Sequence, residues 1–203
     1  MKNTELLNTA LQLNNSPEIE RLIKQFLLSN TLQSNNKFNP FDFTAKKDWR
    51  LVLTGVHYED GYMYASDSHL AIKVKQDYLP ELEEKTIDKK GAEITEKYPD
   101  VNRVIPPDEA MTFVQIDFAK VLEVEKVYRL DCKADKEIKI GLVKVGETYL
   151  SVELLAKIAK FALHFGIEKI GIQSPDRCVK ITNGESMAIL MPVIYTDQKV
   201  YEL

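Results

Sequence analysis

Apolar residues recur at helical spacing in the first part of the chain and then switch to a strand-like pattern. Ile19, Leu22, Ile23, Phe26 and Leu27 fall on one face of a helix. Ser16 stands as its N-cap with Pro17 at the first helical position, and the pattern ends near Asn30. Residues 4–13 fit a shorter helix before it, and residues 31–40 (TLQSNNKFNP) read as a polar connector. From residue 51 the pattern is that of strands. The segment LVLTGVHYEDGYMYASDSHLAIKVK (51–75) divides at Asp60-Gly61, a strong two-residue hairpin signal. A smaller hairpin is expected around Lys90-Gly91. The stretch KYPDVNRVIPP (97–107) holds three prolines and reads as an extended connector pinned against the body.

The second half starts with a strand in MTFVQI (111–116), and Asp117 is placed to cap a short helix from Phe118 to about Tyr128. EIKIGLVKV (137–145) reads as a strand. Ser151 is expected to cap the best helix, VELLAKIAKFALHF, which stops at Gly166. Leu154, Leu155, Ile158, Phe161, Ala162 and Phe165 form its apolar face. Strands follow in EKIGIQ (168–173), CVKIT (178–182) and, after an Asn183-Gly184 turn, MAILMPVIY (187–195). Hairpins interleaved with helices predict an α+β fold with largely antiparallel sheets backed by helices. Three segments are expected: residues 1–47 as a helical segment and connector, 48–107 as a first half, and 108–203 as a second, the two halves loosely alike in order and able to form one compact domain.

Composition narrows the classes. The 203 residues are 44% hydrophobic and 29% charged, with a formal net charge of −4, so the bulk charge does not indicate a basic nucleic-acid binder. Cys132 and Cys178 match no metal or redox spacing and read as free thiols. The N-terminus lacks the apolar core of a signal peptide, and no apolar run approaches the ~20 residues of a membrane helix. The expectation is a soluble, cytoplasmic protein that binds no membrane.

Candidate chemistry is sparse. His57 and His69 do not share a metal, because the hairpin register separates them by roughly 17 Å and turns them to opposite faces. GxSxG, P-loop and GxGxxG motifs are absent from the sequence, so no catalytic residue, metal or cofactor is assigned and no enzyme is expected. Lys157, Lys160 and His164 line the polar face of the 151–165 helix, and Arg21 and Lys24 sit similarly on the earlier one. The plain reading is a solvated helix surface with dipole-favoured cations. The functional one is a face that tracks a phosphate backbone without reading bases.

Three separated segments carry a resemblance. ASDSHLA (65–71) resembles the ATDGHRLA motif of the bacterial DNA polymerase III beta subunit, the sliding clamp. YPDVNRVIP (98–106) resembles that family's YPDYRRVIP, and AILMPVI (188–194) its C-terminal VMPMRL. Their order along the chain is the family's order. The resemblance implies a DNA-clamp fold, with helices inside a ring and sheets outside. It implies contact with duplex DNA through inward cations, here Arg21, Lys24, Lys157, Lys160 and His164. It implies a homo-oligomer, and capture of linear peptides from DNA polymerase and other replication or repair proteins. Carried over by position, the peptide cleft would comprise Ser66, Ser68, His69, Leu70 and Ala71, with Pro99 and Val104, and with Ile189, Met191 and Pro192. Leu70 stands where the family has arginine, Ala71 where it has leucine, and Ser68 where it has glycine. The chain is also far shorter than a three-domain clamp subunit. A peptide-binding adaptor without a DNA channel and an unrelated α+β enzyme remain the alternatives. Pro192 is expected to end the pairing of the last strand. In the clamp reading it turns the chain outward at a rim and leaves Met191 beside Pro99 and His69; the bland alternative is an edge strand with a terminating proline.

Overall fold

Asp60 and Gly61 both take positive φ (53° and 75°), the geometry that a two-residue hairpin turn requires. They join β1 (Val56–Glu59) to β2 (Tyr62–Ser66). The pairing is His57 with Tyr64 and Glu59 with Tyr62, the register expected from the turn alone. The structure, a computed structural model, describes residues 38–194 and 198–203. The expected helices at 4–13 and 16–30, with Arg21 and Lys24, lie outside the described residues, as do Tyr195 and most of the 31–40 connector.

β3 (Leu70–Lys75) returns beside β2. β4 (Lys85–Ile87) and β5 (Glu93–Ile94) form the small hairpin around Lys90-Gly91 and extend the sheet beyond β1. β6 (Thr112–Gln115) precedes helix α1 (Phe118–Ala134). Asp117 caps α1, its Oδ1 accepting from the amides of Ala119 and Lys120. The helix continues past the expected end at Tyr128, because residues 129–134 contain no glycine or proline to stop it.

β7 (Gly141–Val145) and β8 (Thr148–Ser151) form a second hairpin, and α2 (Val152–Phe165) starts directly from β8. Ser151 occupies the N-cap position, but its side chain makes no capping bond. Gly166 ends α2 in the left-handed region at φ 65°, as a glycine C-cap does. β9 (Lys169–Ile172), β10 (Val179–Thr182), β11 (Met187–Leu190) and β12 (Lys199–Tyr201) complete the chain.

Nine strands form one antiparallel sheet in the order β5-β4-β1-β2-β3-β11-β10-β9-β6. The β3–β11 pairing joins the two sequence halves in that sheet. A smaller sheet has the order β12-β7-β8, and its β12–β7 pair is parallel. Largely antiparallel sheets with helices make the fold α+β.

Alternation separates the two faces of the large sheet. Tyr58, Met63, Ala65, Leu70, Ile72, Val74, Ile181, Ala188 and Leu190 share the inner face and are buried in the main core. The α2 residues Leu155, Ile158, Phe161 and Ala162 belong to the same core. His57, Tyr64, Ala71, Lys73, Ile189 and Lys180 share the outer face. Seven residues, Val52, Leu53, Tyr64, Ala71, Tyr98, Val101 and Ile189, form a separate small core on that side.

Candidate functional site: the outer face of the large sheet

One row of cross-strand partners runs Ser66, Ala71, Ile189, Lys180 across β2, β3, β11 and β10. The proline-rich segment 98–108 crosses this face like a strap. The ring of Tyr98 stacks on His57 with centroids 4.8 Å apart and planes within 5°. Asn102 Oδ1 accepts from Lys73 Nζ at 3.0 Å. At the far end Lys180, only 4% exposed, donates to the Pro106 carbonyl at 2.9 Å and pairs with Asp108 at 2.8 Å. The strap is not wholly extended, since Val101–Val104 makes a short 3-10 turn capped by Asp100. Val101 points into the small core, and Val104 stands 56% exposed above β10, where its carbonyl lies 3.5 Å from Cys178 Sγ.

The loop joining β2 to β3 is tied at every residue. Ser66 Oγ donates to the Leu70 carbonyl, and Ser68 N donates to Ser66 Oγ. Asp67 Oδ1 accepts from the amides of His69 and Leu70. Ser68 has φ 77° at the tip, where a glycine would be unstrained. Its hydroxyl accepts from Arg50, whose guanidinium also pairs with Asp48. His69 is exposed, and its carbonyl accepts from the amide of Met191 at 2.8 Å. Met191 is 46% exposed, and in the strand register it stands beside His69 and near Cys178. The side chains flanking Arg50 are also apolar and exposed, with Trp49 at 86% and Leu51 at 56%. Met191 thus leaves apolar surface beside the loop, Trp49 and Leu51 flank the arginine that holds its tip, and Val104 stands by Cys178; exposed apolar side chains are what a peptide anchor needs.

Several expected cleft positions are placed differently. Leu70 belongs to the inner face and the main core, because β-strand alternation turns it away from its neighbours Ala71 and His69. Ala71 and Ile189 are cross-strand partners in the floor, both buried. Ser66 is buried and Ser68 exposed. Pro99 is exposed and lines a cavity of about 620 Å³ at the Tyr98 end of the strap, with His57, Tyr64 and Val101. Pro192 does end the pairing of β11, but the chain does not turn outward. Val193 N donates to the carbonyl of Tyr149 in β8, and β12 pairs with β7 of the same small sheet. Tyr98, Val101, Val52, Leu53 and Arg50 were not singled out from the sequence. Their role depends on tertiary contacts that span 18 residues or more, as between Arg50 and Ser68.

The expected basic row on α2 is partly engaged. Lys157 Nζ pairs with Asp67 Oδ2 at 3.1 Å. The His164 ring stacks on Phe38 at 5.3 Å, and burial lowers the imidazole pKa. Lys160 is exposed. Lys157 and Lys160 line a cavity of about 750 Å³ with Lys46, Arg129, Phe38 and Phe161. Among the described residues no group of three histidine, cysteine or acidic side chains could hold a metal ion. Both cysteines are free thiols, and no described helix is long and apolar enough to cross a membrane.

No protein-family model and no curated protein matches the sequence. Solved structures do match. The DNA polymerase III beta chain of Streptococcus pneumoniae aligns with a TM-score of 0.58 at 16% identity, over 85% of this chain and 63% of that one. The DNA polymerase sliding clamp of Bacillus subtilis aligns at 0.53 and 15% identity, over 86% and 63%. The beta subunit of Thermotoga maritima aligns at 0.54 and 13% identity, over 86% and 64%. The chain therefore has a sliding-clamp-like fold, and it spans less than two thirds of the length of these structures.

Proposed function

We propose that this protein is a clamp-like accessory factor of DNA replication or repair, and that it captures linear peptides of polymerase-type partners on the outer face of the large sheet. The observation that carries this reading is the meeting of the three motifs on one face. Ala71 pairs with Ile189, Tyr98 and Val101 close over them, and Met191 is held at its amide by His69. Small and aliphatic side chains pack the strap onto the sheet, the half-exposed methionine at its margin adapts to the anchor, and backbone polar groups are already paired. Nothing in this arrangement calls for a catalytic group. The test is fluorescence anisotropy with a labelled linear peptide carrying large apolar anchor residues. Met191→Asp is expected to weaken binding at least ~10-fold, as loss of a central anchor contact does. A wild-type protein that leaves the peptide free at high concentration overturns the reading.

Duplex DNA contact is a further part of the proposal and rests on Lys160, the exposed cation of the α2 row. A charge reversal there, Lys160→Glu, is expected to weaken salt-sensitive, sequence-independent duplex binding. The adaptor reading, in which peptides bind and DNA does not, gains from the engagement of Lys157 and His164. Filter binding of the wild type to duplex DNA across a salt series separates the two.

A further inference from the structure

We infer that Lys157 is a positioning residue of the cleft: through Asp67 it fixes the loop that seats Met191. The inference rests on the peptide-capture reading for its functional consequence, although its structural part stands without it. A continuous chain of bonds runs from α2 to the cleft. Lys157 Nζ holds Asp67 Oδ2 at 3.1 Å. The other oxygen of the same carboxylate accepts from His69 N at 3.1 Å and Leu70 N at 3.0 Å. The backbone of Asp67 in turn donates to the Leu70 carbonyl. The His69 carbonyl then receives the amide of Met191 at 2.8 Å.

One carboxylate therefore organises the loop with one oxygen and is oriented by a lysine on the other. The pair is sheltered, with the Asp67 side chain 13% exposed and that of Lys157 31%. Shelter makes the ammonium worth more than in a fully solvated pair. The loop needs such a tether. Its tip residue, Ser68, holds a left-handed backbone that glycine adopts freely and serine does not. Arg50 holds the tip from the other side. Without Lys157 the Asp67 carboxylate loses the partner that fixes its rotamer, and its bonds to His69 and Leu70 weaken together. This use of Lys157 also separates it from Lys160, one turn further along α2, which has no such partner among the described residues and stays exposed.

The experiment compares the wild type with Lys157→Met, which keeps the length of the stem, and Lys157→Arg, which keeps the charge. Amide hydrogen exchange is read at His69, Leu70 and Met191, with Ile181 as a control inside the sheet. Lys157→Met is expected to exchange about tenfold faster at the three loop-linked amides and unchanged at Ile181. Its affinity for the labelled peptide should fall about fivefold, with Lys157→Arg restoring both. Unchanged exchange at the three amides overturns the positioning role, as does faster exchange with full peptide affinity. Loss of duplex binding without a change in exchange assigns Lys157 to nucleic acid instead. If the wild type binds no peptide, the peptide-capture reading fails, and the exchange rates still decide what holds the loop.

Discussion

Tyr98 carries a buried hydroxyl with no hydrogen-bond partner among the described residues, while its ring lies flat on His57. Its value is therefore in the ring, and burial pushes its pKa well above the ordinary tyrosine range. Tyr98→Phe removes an unpaired polar atom and is expected to leave stability unchanged or raise it by up to about 1 kcal/mol. Tyr98→Ala empties the small core and should cost about 3 kcal/mol or more. Urea denaturation of both variants checks the pair, and a large loss in Tyr98→Phe would mean that the hydroxyl is bonded after all. His57 gives a pH signature from the same stack. Burial lowers its pKa below 6.5, outweighing the nearby Glu59. A depressed histidine binds its proton less readily in the folded state than in the unfolded one. Stability should therefore fall as pH drops below about 6.5, and level off once His57 protonates in the folded protein. His164 is shifted the same way by burial and adds to the slope. Denaturation midpoints for wild type and His57→Gln at neutral and mildly acidic pH measure the His57 share, which is the part of the slope that the substitution removes. At this scale the sequence was informative where one residue dictates its own surroundings, as with Asp60-Gly61 or Gly166. It was silent on Arg50 and Tyr98, whose contacts lie far along the chain.

The helix starts follow the same division between local and distant causes. Asp117 accepts two amide bonds at the start of α1, whereas Ser151 starts α2 with its side chain unbonded. Ser151 is also the last residue of β8, paired with Leu142, so the sheet sets its backbone. Asp117→Ala should accordingly cost about 1 kcal/mol, and Ser151→Ala no more than a few tenths. Thermal melts compare the two directly, and a reversed order would place the cap at the wrong helix. From sequence both residues read equally well as caps, because the N-cap signal is a matter of residue type and spacing. What separates them is the β7–β8 hairpin, and β8 was missed because TYLS reads as the approach to a helix. The strand β12 was missed for a different reason. It pairs in parallel with β7, and Lys199 and Tyr201 are anchored on Asp131 of α1, so nothing near it in sequence announces a strand.

In the molecule as a whole, the strap reaches from the β1–β2 side of the large sheet to β10. It holds Tyr98 at one end and Lys180 at the other, with the cleft between them. Its sequence, YPDVNRVIP, pointed to the family fold but not to which side chains face the sheet. Its two prolines, with Pro107 after them, restrict the backbone on either side of a 3-10 turn and leave no period from which burial can be read. Lys180 is the buried member of the anchoring pair, and Asp108 is more than half exposed. Replacing Lys180 by Met removes the charge that was costly to bury and leaves a carboxylate that water can solvate. The global cost should then stay below about 2 kcal/mol. The local effect should be larger, because the far end of the strap loses both its ion pair and its bond to the Pro106 carbonyl. Arg103 lies in the middle of the strap with an exposed side chain, so trypsin reports on it directly. Lys180→Met is expected to be cut after Arg103 several times faster than wild type, with the first fragment identified by mass and with little change in the melting midpoint. Peptide affinity should fall with it, since Val104 is carried on the released segment. Equal cleavage rates would mean that Tyr98 and Val101 hold the strap unaided, and that the Lys180 pair contributes nothing to the shape of the cleft.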